Sequence, residues 1–227
     1  MPEPLIFTGG LAATNAYVAD LGGHRLAIDA PEGFLDFLKK RKLRPDSLLL
    51  THGHWDHIWD AADLADWAGC PVYYHADTAF LCLDPDSMLA FGLPQRLRPI
   101  QATQLLGESG PVPSAWSGAK LLLVPGHCPG SLCLYLPGQQ QLFGGDVLFA
   151  DGVGRWDLPG GDREMLISGI RKKILTLPGN TTVYPGHGPT TTVAREKTSN
   201  PFLGGSYLTV ENLAMEGTWQ LRTTLHH

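Results

Sequence analysis

Directly behind the apolar run Ser47–Thr51 (SLLLT) stands His52-Gly53-His54-Trp55-Asp56-His57, four imidazole or carboxylate side chains within six residues. A short run with three successive leucines reads as a strand buried on both faces, as in a parallel sheet covered by helices. The polar cluster then sits at the strand's C-terminal end, just before a helix. In an extended turn alternate residues point the same way, so His52 and His54 can grip one ion together. Asp56 and His57 fall where the chain begins to curl, and their side chains can turn towards a second ion. With 9 histidines in 227 residues, a solvated loop that gathered three of them by accident would be rare.

Around the cluster the pattern alternates between strands and helices. NAYVAD, from Asn15, and HRLAIDA, from His24, flank Gly22-Gly23 and read as a hairpin. Pro31 suits a first helical position, and EGFLDFLKKRK sets Phe34, Leu35 and Leu38 on one face with a basic C-terminal end, stopped by Pro45. A second helix is expected over IWDAADLADWAG after His57, ending at Gly69, and PVYYH reads as a strand. Asp84–Gly118 has several prolines and no clear period, and reads as a long loop covering the pocket. AKLLLV, SLCLYLP and QLFGGD are strands, REMLISGIRKKIL (Arg163 to Leu175) has helical spacing, and TTVYP is a final strand. Two halves that each pair a sheet with helices give an α/β sandwich with polar loops gathered along one edge.

Charge and composition exclude several classes of partner. Lys and Arg number 17 against 22 Asp and Glu, a formal net charge of −5, with no basic stretch such as a phosphate-tracking groove needs. Nucleic acid is therefore not expected as a partner. No apolar run approaches the roughly 18 residues of a membrane span. MPEPLIFTGG lacks the pattern of a signal peptide, and Cys70, Cys82, Cys128 and Cys133 include no CxxC pair. The expectation is a cytoplasmic chain folding as one domain over residues 1–227, with 204–227 as a C-terminal extension. At this length about 70% of the unfolded surface is buried, so neither disulfides nor oligomerisation is required; the oligomeric state stays open.

One tight cluster cannot complete two metal sites. Three later residues share its setting, a polar side chain at a strand end beside Gly or Pro: His127 in VPGHCPGS, Asp146 in LFGGDVLF and His187 in VYPGHGP. Imidazole and carboxylate ligands suit Zn, Fe or Mn, and a carboxylate can bridge two ions. His52, His54 and His127 are assigned to one ion, Asp56, His57 and His187 to the other, and Asp146 to the bridge. Cys128, adjacent to His127, reads as a buried thiol, because neighbouring residues point apart. Trp55 sits between ligands, where it can line the pocket.

HGHWDH with the isolated His127, Asp146 and His187 resembles the metallo-β-lactamase superfamily of hydrolases. GGDVLFADGVGRWDLPGGD and YPGHGPTTTVAREKTSNPFL are similar to its single-domain, glyoxalase II-like members, from the hairpin to about Leu203. The resemblance implies an αββα sandwich with the metal site at one edge. It implies two divalent ions, most simply zinc, with iron or manganese as alternatives. It places Asp29 behind the ligands as support for the metal loop, the alternative being a turn residue.

Two ions about 3.5–4 Å apart that lower the pKa of water to about 7 supply a hydroxide nucleophile, with no need for serine or cysteine. Asp56 can also orient the attacking water. The expected activity is hydrolysis of a small-molecule thioester or ester, of the hydroxyacylglutathione hydrolase type. Arg155 aligns with a basic residue that contacts the glutathione carboxylate in glyoxalase II; alternatively it pairs with Asp157 or Asp162. Asp157 stands where glyoxalase II has tyrosine, and the helical C-terminal domain of the two-domain enzymes is not recognisable. Gly154, Arg155 and Asp157 also match persulfide dioxygenases of the superfamily, which hold one iron through the equivalents of His52, His127 and Asp146. That activity is the first alternative and a lactonase the second.

Overall fold

Side-chain alternation along single strands sets the layering of the chain. The computed structural model describes residues 3–107 and 112–203, so the expected extension 204–227 lies outside the described residues. The first sheet holds β1 (Leu5–Gly9), β2 (Thr14–Asp20), β3 (Arg25–Ile28), β4 (Ser47–Leu49), β5 (Val72–His75) and β6 (Gln104–Leu106), side by side in chain order. Its first three strands are antiparallel and β3 to β6 are parallel. The second half gives β7 (Lys120–Leu123), β8 (Leu132–Leu136) and β9 (Gln141–Gly145), then a ribbon of β10 (Leu148–Phe149) and β11 (Gly152–Val153). With β12 (Thr182–Pro185) and β13 (Thr191–Thr192), the second sheet runs β13-β12-β9-β8-β7.

In β2, Ala16 and Val18 face outward to helices while Tyr17 and Ala19 face the other sheet. In β8, Cys133 and Tyr135 face helices while Leu132, Leu134 and Leu136 face the first sheet. The inner faces meet in a core of Tyr17, Leu26, Ile28 and Leu49 against Leu132, Leu134, Phe143 and Tyr184. Outside the first sheet lie α1 (Phe34–Lys40), α2 (Trp55–Ile58) and α3 (Ala61–Ala68), packing Phe34, Leu38, Ile58 and Leu64 on Ala27 and Leu48. The short α4 (Ala79–Leu83) follows β5. Outside the second sheet, α5 (Arg163–Gly169), its π-helical continuation Ile170–Ile174 and α6 (Val193–Ser199) bury Leu166, Ile170, Ile174 and Val193 on Leu142 and Val183. The result is an αββα sandwich, the α/β class that the sequence implied. No helix among the described residues is long and apolar enough to cross a membrane.

Several elements depart from the sequence reading for local reasons. β1 adds a strand ahead of the hairpin; as an edge strand with Ile6 exposed and Phe7 half-buried, it shows little apolar pattern. The helix expected after His57 is two, because Asp60 breaks it. The Asp60 amide donates to Ala30 O at 2.8 Å and its carboxylate accepts from Leu35 N at 2.9 Å. Asp84–Gly118 is not one loop: it holds a 3₁₀ turn over Pro85–Phe91, then β6, then a second 3₁₀ turn whose Trp116 is fully buried. The Trp116 indole donates to Ser47 Oγ at 3.2 Å, which ties that stretch to β4.

Leu134 is fully buried between the sheets. Leu134→Ala is expected to cost about 2–5 kcal/mol of unfolding free energy, measured by urea denaturation. A loss well under 1 kcal/mol would show that the inner faces are not closely packed.

Candidate metal centre

Strand ends deliver the polar residues to one edge of the sandwich. His52 follows β4, and His54 precedes the first turn of α2, which carries Asp56 and His57. His127 lies in the β7–β8 connection, Asp146 directly after β9, and His187 two residues after β12. The two halves are joined there by main-chain hydrogen bonds, Leu132 N to Thr51 O at 2.9 Å and Asn15 N to Gly186 O at 2.7 Å.

All seven side chains come together. His52 Nε2 lies 3.1 Å from His54 Nδ1 and 3.2 Å from His127 Nε2. His187 Nε2 lies 3.3 Å from Asp56 Oδ2, and His57 Nε2 lies 3.4 Å from the same oxygen. Asp146 touches both groups: Oδ1 is 3.2 Å from His57 Nε2, while Oδ2 is 3.3 Å from His187 Nε2 and 3.5 Å from His127 Nε2. Ligand atoms of three sets lie within 4.8 Å of one another: His52, His54 and His127; His52, His57 and Asp146; Asp56, His57 and His187.

Behind the inward atoms, acceptors hold the far side of each ring. His127 Nδ1 donates to Arg155 O at 2.8 Å and His187 Nδ1 to Ala12 O at 3.2 Å, so in the neutral rings Nε2 keeps its lone pair. Asp29 is buried; its Oδ1 accepts from Thr51 N at 2.7 Å. Its Oδ2 accepts from Thr51 Oγ1 and from His57 Nδ1, both at 2.8 Å. Thr51 Oγ1 in turn lies 3.1 Å from His52 Nδ1. Asp29 thus orients two imidazoles, and it does so at φ +59, a left-handed conformation that aspartate tolerates better than most residues.

Burial and charge divide the histidines. Burial, then the neighbouring His57, His54 and His127, holds His52 well below the usual imidazole value. Burial and then His127 bring His54 down to about 3, and burial lowers His127 against the pull of Asp146. Burial opposes charge on His57 as well, yet Asp146, Asp56 and Asp29 raise it well above its usual value. The same contest, with bonds to Asp146 and Asp56, lifts His187 to about 9. Burial works against ionising Asp56, but His57 and His187 bring it down to about 2. The pocket combines lone-pair donors with a negative field, the environment a divalent cation requires.

Hydrogen-bond geometry tests the fit. His57 Nε2 and Asp146 Oδ1 lie buried 3.2 Å apart, yet neither is aligned for a hydrogen bond with the other or with any other group. An unpaired buried polar atom costs about 1–3 kcal/mol, and ligation of a cation satisfies both. Space is reserved at the same point: a Cβ on Gly186 would overlap Asp146 Oδ1 and His57 Cε1, and one on Gly154 would overlap the Asp146 carbonyl. The residues fit a metal.

Other expected residues lie as follows. Arg155 borders a cavity of about 320 Å³ beside the cluster, and its guanidinium is held by Asp157 through bonds of 2.7 and 2.8 Å. Trp55 lines the same cavity. Cys128 is fully buried and its thiol is pushed up to about 11 by burial. Thr14 escaped sequence reading; its hydroxyl donates to Asp56 Oδ2 at 2.7 Å. Nothing in TNAYVAD signals that contact, which spans 42 positions. The carbonyls of Ala12 and Arg155 are equally silent in sequence, since any residue supplies one.

A two-layered α/β sandwich with a histidine and aspartate cluster at one edge defines a class of metal-dependent hydrolases. The chain belongs to the metallo-β-lactamase superfamily, whose family pattern matches residues 11–187. Hydroxyacylglutathione hydrolase GloC of Haemophilus influenzae is 34% identical over 192 residues, covering 83% of this chain and 87% of that protein. The crystal structure of BLEG-1 B3 metallo-β-lactamase is 36% identical with a TM-score of 0.79, covering 89% of this chain and 100% of the other. TTHA1623, crystallised in a di-iron-bound form, is 37% identical with a TM-score of 0.78, covering 88% and 100%.

Asp29→Asn keeps the shape but leaves one acceptor oxygen for three donors. It is expected to lower stability by about 1–3 kcal/mol in urea denaturation of the metal-free protein, because a donor is stranded in the interior. Unchanged stability would show that Asp29 does not anchor the rings.

Proposed function

We propose that the protein is a binuclear metallohydrolase that cleaves thioesters, of the hydroxyacylglutathione hydrolase type. The observation that carries this reading is the arrangement of Asp146 between two ligand groups, each able to hold a cation. His52, His54 and His127 would hold one ion, Asp56, His57 and His187 the other, with Asp146 shared. When bound, divalent ions lower the pKa of a coordinated water from about 15.7 to about 7 and polarise a carbonyl oxygen. Zinc is the first choice for this donor set; iron is supported by the di-iron form of TTHA1623.

The chain's own residues fill the remaining roles. Asp56, ionised and fixed by Thr14, accepts a hydrogen bond from the attacking water and orients it. Asp29 holds the His57 ring, and through Thr51 the His52 ring, so that their inward nitrogens stay aimed. Cys128 has no part as a nucleophile, because a buried thiol with a pKa near 11 offers no thiolate. Arg155 donates Nε and Nη2 to Asp157 and keeps Nη1 for an anionic leaving group such as glutathione. The similarity to GloC supports a thioester and the similarity to BLEG-1 supports a lactam or lactone as the second reading. Four unpaired cysteines suit a reducing compartment, and we place the enzyme in the cytoplasm.

Metal analysis of the purified protein is expected to give two divalent ions per chain, with hydrolysis of S-lactoylglutathione. One iron per chain with oxygen uptake would overturn the hydrolase in favour of a persulfide dioxygenase. A lactone or β-lactam turned over faster than any thioester would select the second reading. His54→Ala is expected to lose metal and activity together, and a variant that still holds two ions would refute the ligand assignment.

A further inference from the structure

The cavity beside the cluster has two unlike walls. Residues 155–159 contribute Arg155, Leu158 and Pro159. A second group of lining residues comes from α2, α4 and the 3₁₀ turn Pro85–Phe91, and its apolar side chains are Trp55, Phe80, Leu81, Met88 and Phe91. Ser87 also lies there, but its hydroxyl already donates to Asp84 O at 2.7 Å. Phe80 and Phe91 are 51% and 48% exposed. Of the eight large apolar side chains exposed among the described residues, four (Phe80, Leu83, Leu89 and Phe91) fall within residues 80–91. Apolar surface gathered along one rim of a cleft marks the face that meets a ligand. Trp55 sits between His54 and Asp56, so this wall runs continuously into the metal cluster.

Charge points the same way. Among the described residues Arg155 is the one lysine or arginine that lines the cavity, and Asp157 neutralises it. Apart from Ser87 Oγ, which can still accept a hydrogen bond, the apolar wall offers no partner to a polar acyl chain, and burying a polar group without one costs about 1–3 kcal/mol. A volume of about 320 Å³ admits a compact chain or ring. We propose that the substrate's acyl group is apolar and uncharged, a medium-length chain or an aromatic ring, packed on Trp55, Phe80, Met88 and Phe91. This rests on the thioesterase reading and specifies its substrate class. Thioesters whose apolar acyl group is longer than lactoyl are then the better members of the series, and the leaving thiol lies towards Arg155.

The test compares two series on the metal-loaded protein: acetyl, butyryl and hexanoyl thioesters of glutathione, and acetyl thioesters of ethane-, butane- and hexanethiol. Along the acyl series kcat/KM is expected to rise about fourfold per methylene, and along the thiol series to stay within about twofold overall. A flat or falling acyl series, or an equal slope in the thiol series, overturns the proposal. Phe91→Ala, at a half-exposed position whose truncation leaves the core intact, is expected to flatten the acyl slope. Leu89→Ala, exposed but outside the cavity, is expected to preserve it; the reverse pattern overturns the proposal. If no thioester is hydrolysed, the thioesterase reading fails, and binding of the free acids then decides the acyl proposal. Calorimetry showing hexanoate at least about tenfold tighter than acetate, with the difference lost in Phe91→Ala, supports it; equal affinities overturn it.

Discussion

The carboxylate of Asp146 is the interaction on which the site depends. It is the point where a histidine of the first half, His57, meets two of the second, His127 and His187, each within 3.5 Å. Burial alone would protonate such a group, but His57 and His187 hold it well below the usual carboxylate range. A buried charge of this kind persists only when its partners are fixed, because losing one leaves the other unpaired in a low-dielectric interior. The close packing of Gly186 around it follows from the same need, since any side chain there would displace the carboxylate or His57, and one on Gly154 would push on the main chain of Asp146.

That fixation is achieved away from the cluster. The parallel strands β3, β4 and β5 are buried on both faces, so their ends move little. Asp29, at the end of β3, reaches across to Thr51 and His57, which converts strand pairing into ring orientation. In the second half the His127 ring leans on the Arg155 carbonyl, so the β10–β11 ribbon and the chain after it set its angle. His127 and His187 are therefore aimed by main-chain carbonyls and His57 by a buried carboxylate rather than by their own rotamer preferences.

The same division explains why chemistry and substrate separate in this fold. The cluster residues stand at the ends of the packed sheets, where a change would disturb both layers. The cavity walls stand on short segments, α4, the 3₁₀ turn and residues 155–159, which anchor Leu81 and Met88 in the core and leave Phe80 and Phe91 half-exposed. Half-exposed residues such as Phe80 and Phe91 can vary at little cost in stability, so the scaffold can keep its cluster while its substrate changes.

The amino-acid sequence by itself determined the strands that carry the ligands, the layered α/β class and the seven cluster residues. SLLLT, SLCLYLP and QLFGGD are apolar enough to be strands in any context, and HGHWDH is too dense in donors to be an ordinary loop. What only the tertiary structure decided depends on partners remote in the chain. The split of the second helix at Asp60, the Thr14 bond to Asp56 and the ring contacts to the carbonyls of Ala12 and Arg155 are of this kind. So are the burial of Trp116 and the pairing of β6, in a stretch whose local pattern reads as loop. Local sequence encodes propensity and periodicity, whereas a hydrogen bond between positions 42 or 175 residues apart exists only once the elements that carry them have packed.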